Sequence, residues 1–470
     1  MRHGALIALL SGRPVGRVER GPEGRLTFRY DDDWSSVKSA IPLSLSMPLT
    51  SPTHKHERIE AFLWGLLPDN DVILERWAKR FQVSPRNPFG LLSHVGEDCA
   101  GAVQFVFPER LSRLDPQRPP EIEWIDEAAV EQRLESLLRD PSASRSGSDE
   151  GQFSLAGAQA KTALLFESGR WGVPSGRTPT THILKPPMPE LDGHVENEHL
   201  CLRLARSLGL PTADSEVRRF GSQVAIVIER FDRVRTVDLA AAAAMEAAAA
   251  AVAAVENLAS AARAADAAAR AGALGKLAAV QPILRLHQED LCQAMAVKPA
   301  LKYENEGGPG VATIVSLLRA HSSSPAADVG TFIDALLFNW LIAGTDGHAK
   351  NYSILHGGGG RVRPAPLYDI ASALPYGHLD ARRLKLAMKI GGKYRIAEIG
   401  VHQWQKLEGT LGLDEGAVVA RGRELSAQVP DLVTAIREEA SAAGLVHPVV
   451  ARLAAEIVSR ARRCAHELDA

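Results

Sequence analysis

Between residues 239 and 279 the chain is mostly alanine. Alanine is the strongest helix former, yet it has no side chain with which to build a large core. The tract reads as one long helix, or two broken near Gly272 and Gly275. Met245, Val252, Val255 and Leu258 lie on one weak stripe. It is a structural insertion, so the folded mass has to come from the sequence on either side of it.

Those flanks differ in pattern. Residues 5–30 alternate apolar and polar, with Gly12-Arg13-Pro14 and Gly21-Pro22-Glu23-Gly24 as turns, which predicts a small meander of strands. Glu60–Leu67 reads as a helix ending at Pro68-Asp69-Asn70, and Ala102–Phe107 as a strand. Proline and charge dominate 108–121 and suggest a boundary. Asp140–Gly151 is a loop by composition. Strand-like runs follow at Thr162–Phe166, Thr181–Leu184, Ser215–Arg219 and Val224–Glu229, with a helix at Val195–Leu208. From Gln288 onwards the pattern is mainly helical: Gln288–Ala296, Gly310–Ala320, Gly330–Ala343, Val401–Leu411, Glu415–Val429 and Pro448–Leu468. The expected class is α+β. We divide the chain into a β-rich N-terminal subdomain (1–107), a small mixed lobe (108–232), the alanine-rich insertion (233–283) and an all-α C-terminal lobe (284–470). Two unlike lobes leave a cleft, the usual place for a cofactor.

Composition narrows the function. The 470 residues are 45% hydrophobic, ample for a large core, and the net charge of −2 marks no general polyanion binder. The four cysteines, Cys99, Cys201, Cys292 and Cys464, are too widely spaced for a zinc site and read as free thiols. The apolar run Ala5–Leu10 is too short for a signal peptide. No uninterrupted apolar run reaches membrane-spanning length, so the expectation is a cytoplasmic protein with no membrane partner.

The densest chemical signal is Gly344-Thr345-Asp346-Gly347-His348-Ala349-Lys350-Asn351. Asp followed five positions later by Asn is the spacing of a protein-kinase catalytic loop. The carboxylate would accept the proton of a substrate hydroxyl, and the amide oxygen would bind Mg²⁺ beside a triphosphate. A helix pattern feeds this loop, and strand-like Tyr352–Leu355 and Arg361–Tyr368 follow it. Asp369 closes the second strand and would be the other metal ligand. On spacing alone, Asp346 and Asp369 serve equally well as turn or capping residues. Lys185, at the end of a strand, would hold phosphates, with Glu198 on the next helix as its partner. There is no Gly-rich G-x-G-x-x-G or P-loop motif. Ser154–Lys161 (SLAGAQAK), with Gly157 at its centre, is the candidate nucleotide loop, or else a simple tight turn.

Taken in order, these segments resemble the HipA family, serine/threonine-kinase toxins of bacterial type II toxin–antitoxin modules. The likeness rests on Leu66–Asn70 (LLPDN), Gly96-Glu97-Asp98 with Gly101-Ala102-Val103, SLAGAQAK, and Thr180–Lys185 (TTHILK). It continues through Glu229–Arg233 (ERFDR), Gln288-Glu289-Asp290, Lys302-Tyr303-Glu304, Gly307–Gly310 (GGPG), Thr345–Asn351 (TDGHAKN), Leu367–Ser372 (LYDIAS) and Lys385–Met388 (KLAM). The resemblance implies a two-lobed kinase-like fold, ATP and Mg²⁺ as cofactors, Asp346 as the catalytic aspartate, Asn351 and Asp369 as metal ligands, and Lys185 as the phosphate lysine. It further implies that Glu229 and Phe231 meet adenine through the backbone, and that Ser154 is autophosphorylated. Lys350, inside the catalytic-loop motif, would neutralise charge on the transferred group. Implied partners are a helix-turn-helix antitoxin of the HipB type, operator DNA reached mainly through it, and a protein substrate such as an aminoacyl-tRNA synthetase. Two alternatives stay open: a silent pseudokinase that co-represses with its antitoxin, and a small-molecule kinase. The alanine-rich tract departs from the family pattern, which joins Arg-Phe-Asp-Arg to Gln-Glu-Asp by a short connection.

Overall fold

Alternation at the N-terminus becomes a sheet in the computed structural model, which describes residues 4–115, 118–143, 153–241, 243, 271–272, 282–380 and 382–469. Strands β1 (Ala5–Leu10), β2 (Arg13–Arg20), β3 (Leu26–Tyr30), β4 (Thr53–His54) and β5 (Val103–Val106) are ordered β4-β3-β2-β1-β5, each pair antiparallel. Along β3 burial alternates strictly, so Leu26, Phe28 and Tyr30 face the core while Thr27 and Arg29 face solvent. Helices His56–Gly65, Asp71–Phe81 and Pro88–Val95 bury Phe62, Leu63, Trp77 and Leu92 in the same core. Asn70 and Asn87 cap the second and third of these helices.

A second sheet of six strands comprises β6 (Glu121–Ile125), β7 (Thr162–Glu167), β8 (Arg170–Ser175), β9 (His182–Lys185), β10 (Ser215–Phe220) and β11 (Gln223–Glu229). Its order is β10-β11-β9-β7-β8-β6. Strand β11 divides its side chains between two cores. Ala225 and Val227 join Val130, Leu134 and Trp171 on one face, whereas Ile226 and Ile228 join helix His194–Ser207 and the C-terminal lobe on the other. That period-two split ties the small lobe to the large one.

The C-terminal lobe is built on helices Val311–His321, Pro325–Ile342, Val401–Leu411, Ala417–Ala442 and Pro448–Asp469. Four expectations change here. Gln288–Ala296 is not one helix: His287–Asp290 is strand β14, and helix is confined to Leu291–Ala294, where Asp290 and Gln293 form a capping box. Strand β14 pairs with β15 (Ser353–Gly357), which pairs with β16 (Arg361–Pro364), so the lobe expected to be all-α also carries a small sheet. The strand expected over Arg361–Tyr368 stops at Pro364. Pro364 and Pro366 offer no ladder N–H, and Leu367 instead exchanges backbone hydrogen bonds with Pro211 and Ala213, both at 2.8 Å. The helix expected to end at Val429 runs through Pro430 to Ala442. Val433 and Ile436 extend its buried face, so tertiary packing outweighs the lost hydrogen bond.

Strands β12 (Arg233–Arg235) and β13 (Ile283–Arg285) pair with each other, and Thr236 N–H donates to Pro282 O at 2.9 Å. The two ends of the alanine-rich tract are therefore neighbours. The helix expected within the tract lies almost wholly outside the described residues, as does most of the loop expected over Asp140–Gly151. All four cysteines are buried and free. No described helix is long and apolar enough to cross a membrane.

Candidate active site

A cavity of about 450 Å³ opens between the lobes, a size suited to a mononucleotide-scale ligand. Its C-terminal wall is the loop after helix Pro325–Ile342. The helix ends on Ala343 in the left-handed region, φ 52°. Gly344 follows because a Cβ there would meet Asn339 Oδ1 at 2.2 Å. The chain then turns, and Asp346 projects into the cavity with its side chain 63% exposed. Tyr303 Oη donates to Asp346 Oδ1, and His348 Nε2 lies 3.8 Å from the same oxygen. His348 packs edge-on against the Tyr303 ring. Burial lowers the His348 pKa while Asp346 pulls it upward, the first effect winning. Asn351 Nδ2 donates to the Asp346 backbone oxygen at 2.8 Å. That bond turns the amide so that Oδ1 is left over for a ligand.

Asp369 sits at φ 58°, a left-handed conformation unusual for a residue with a side chain. One of its oxygens accepts from Lys185 Nζ at 2.6 Å, and the side chain remains 35% exposed. Lys185 closes β9, and its Nζ also donates to Glu198 Oε1 at 2.7 Å from helix His194–Ser207. Burial lowers the Lys185 pKa, but Asp369 and Glu198 outweigh it and hold the pKa above the usual lysine value. Burial likewise pushes the Asp369 carboxyl up, and Lys185 and Lys161 more than reverse that.

The nucleotide-loop residues divide. Gly157 lines the cavity at φ +102°, where a Cβ would meet Lys161 Nζ at 2.6 Å. Ser154 does not line it. Its side chain is fully buried, with Oγ donating to Leu66 O at 2.7 Å and its N–H donating to Asp98 O at 2.9 Å. Ser154, expected within the candidate nucleotide loop, thus points away from the cavity, its hydroxyl tied to the N-terminal subdomain. Glu229 and Phe231 also line the cavity, and the Glu229 N–H already donates to Asp214 O at 2.9 Å. The Phe231 ring lies 5.8 Å from that of Tyr368.

Lys350 is buried and does not stand free. Its Nζ pairs with Asp69, as does Lys302 Nζ at 3.1 Å. Burial raises the Asp69 pKa, but the two ammonium groups together lower it. Asp69, Lys302 and Tyr303 stand within the family motifs, but no role for them is legible from the sequence. A Pro-Asp-Asn triplet reads locally as a helix stop, and nothing local says that it faces a loop some 280 residues away.

Among the described residues no group of three or more His, Cys, Asp or Glu side chains forms a metal cage. The donors nevertheless suit Mg²⁺, which takes one or two protein oxygens and completes its shell with phosphate and water. Asp369 and Asn351 line one cavity, and both offer hard oxygen atoms.

Comparison with known proteins gives the relationship. The HipA N-terminal domain matches residues 6–106, and the HipA-like C-terminal domain matches residues 153–433. The chain belongs to the HipA family. It is similar to a Sinorhizobium fredii protein named as a kinase, Y4mE, with 32% identity over 92% of this chain and 91% of that one. It is also similar to the serine/threonine-protein kinase toxin HipA of Shewanella oneidensis, 27% identical over 87% of this chain and 83% of the relative. The solved complex of Shewanella oneidensis HipA with HipB and its operator DNA overlays with a TM-score of 0.76 at 25% identity, covering 99% of this chain and 98% of that chain. This HipA-family kinase thus has the kinase-like fold of that structure.

Proposed function

We propose that the chain transfers a phosphoryl group from Mg·ATP to a serine or threonine hydroxyl of a protein. One observation carries the reading: Asp346, Asn351, Asp369 and the Lys185–Glu198 pair face a single cavity, although they come from both lobes. Asp346 orients the acceptor hydroxyl and takes its proton. Lys185 presents its ammonium to phosphate oxygens, and Glu198 fixes its direction. Asn351 and Asp369 would hold Mg²⁺, which when bound supplies charge neutralisation on the phosphates. Lys350 adds positive charge beside the transferred group. Glu229 and Phe231 frame the base end of the nucleotide.

The solved relative that assembles with HipB and operator DNA supports a helix-turn-helix antitoxin as partner, with DNA reached mainly through it. The toxin name of the Shewanella relative supports a protein target, and an aminoacyl-tRNA synthetase is the substrate we propose. Autophosphorylation at Ser154 would first require the Ser154–Lys161 loop to leave Leu66 and Asp98, since the hydroxyl is buried. Once added there, about −1.5 to −2 charges could not return to that pocket.

Incubation of the purified chain with γ-labelled ATP in a lysate of the host tests the reading. Mg²⁺-dependent label on a protein acceptor is the expected result. No transfer to any protein, with Mg²⁺ and ATP shown to bind, would overturn it.

A further inference from the structure

The N-terminal subdomain supplies a residue to the cleft. Helix His56–Gly65 is docked tightly on the C-terminal lobe: Gln293 Nε2 donates to Phe62 O at 2.9 Å, and a Cβ on Gly65 would meet Gln293 Cγ at 2.4 Å. Ser44 and Ser46 donate to Gln293 O, and Glu289 accepts from Leu45 N–H at 2.8 Å. The turn that follows the helix, Leu66–Asn70, is therefore held in place before any ligand arrives.

From that turn Asp69 reaches two elements of the large lobe. Its two oxygens meet Lys350 of the catalytic loop and Lys302. Lys302 lies against the same loop a second time, because its carbonyl accepts from Ala349 N–H at 3.3 Å. Tyr303, the next residue, donates to Asp346. The turn also touches the nucleotide loop: Asp69 N–H donates to Gly157 O at 3.2 Å, and Asn70 Nδ2 to Ala158 O at 3.3 Å. Asp69 is thus the point at which nucleotide loop, Lys302 and catalytic loop converge. Its side chain is 9% exposed and that of Lys350 is 4% exposed, so the pair is scarcely screened by solvent.

We infer that Asp69 is a positioning residue for phosphoryl transfer, aiming the Lys350 ammonium into the cleft from a subdomain that contributes no other part of the expected chemistry. Resting on the kinase reading, the inference adds to it that the N-terminal subdomain completes the active site. An uncommitted lysine would sample many rotamers, and a misplacement of an ångström costs rate heavily. Asp69 removes that freedom while leaving Nζ hydrogens for an incoming phosphate.

The test uses the full chain and its Mg·ATP hydrolysis, with nucleotide affinity measured separately by calorimetry. Asp69→Asn should lower kcat at least about tenfold and change ATP affinity by less than about threefold. On a Lys350→Met background the same substitution should add almost nothing, because both act through one group. Asp69→Glu, which keeps the charge, should recover part of the lost rate. Losses from Asp69→Asn and Lys350→Met that multiply would overturn the inference, as would wild-type kcat in Asp69→Asn. If Asp69→Asn fails to fold, Asp69→Glu carries the cycle: its rate defect should vanish on the Lys350→Met background, and a persisting defect refutes the role. A wild-type chain that binds Mg·ATP but transfers no labelled phosphate to any protein would instead refute the kinase reading itself.

Discussion

Two clusters of opposed charge hold this molecule together, and they differ in what they face. At the junction of the subdomains, Asp98 and Asp232 are enclosed by Arg230, Arg233 and Arg285, with every side chain at most 8% exposed. Arg230 grips Asp232 with two nitrogens, at 2.9 and 3.0 Å, and Asp232 also accepts from Gly101 N–H at 2.6 Å. In the cleft, Lys185, Glu198 and Asp369 form an equally close group, yet Asp369 is 35% exposed and Asp346 nearby is 63% exposed. The first cluster spends its charge on itself, while the second keeps acids open to a cavity. Guanidinium groups, planar and permanently charged, suit the closed cluster; ammonium groups, which act as mobile point charges, line the open one. A buried charge cluster is thus not in itself a sign of chemistry. Exposure towards a cavity separates the two.

Asp346→Asn should cut the comparison most sharply. The amide conserves shape and cannot accept a proton, so transfer of labelled phosphate should fall by about 10²–10⁴-fold. Circular dichroism and ATP binding should be unchanged. Near-normal turnover would remove Asp346 from the open cluster's proposed chemistry.

Asp98→Ala probes the closed cluster. It leaves three buried guanidinium groups facing one carboxylate, which should destabilise the fold by about 3–5 kcal/mol. A lowered melting temperature is the readout. Acid should act in the same direction. Burial raises the Asp232 pKa, but Arg230 and Arg233 outweigh it and hold it down at about 2. A carboxyl lowered in the folded state contributes stability above its ordinary value of about 3.9, and that contribution is lost as pH falls towards about 2. A melting temperature unmoved by Asp98→Ala would erase the contrast between the clusters.

Asp369→Ala should have a smaller effect than either. Mg·ATP binding should weaken about tenfold more than binding of metal-free nucleotide. Calorimetry with and without Mg²⁺ separates the terms, and equal losses would make Asp369 a member of a structural cluster like the first.

The smallest effect is expected where neither cluster is touched. Replacing residues 239–279 with a short Gly/Ser linker should leave turnover within about tenfold, or about 1.4 kcal/mol of barrier. The pairing of Arg233–Arg235 with Ile283–Arg285 already brings the two ends together. Arg233 and Arg285 belong to the closed cluster, so a collapse on deletion would mean that the tract supports that cluster.

Local pattern by itself determined much of this protein. The period-two alternation of residues 5–30, the strands around Lys185 and Glu229, and the long C-terminal helices are legible because side-chain periodicity records which face is buried. That Asp346 and Asn351 share one loop is legible from their spacing, while their proposed roles came from the family resemblance, since spacing alone left Asp346 equally well a turn residue. What only the tertiary structure decided involves residues whose partners lie far off in sequence. Gln288–Asp290 is a strand because Ser353–His356 lies beside it, and Pro430 is tolerated because its helix is held by packing. Ser154 is buried because Leu66 and Asp98 receive its hydrogen bonds. Asp69 faces Lys350 because a docked helix ends there. A side chain's charge is written in the sequence, but its partner is chosen by how subdomains pack, and packing energy is collective rather than local.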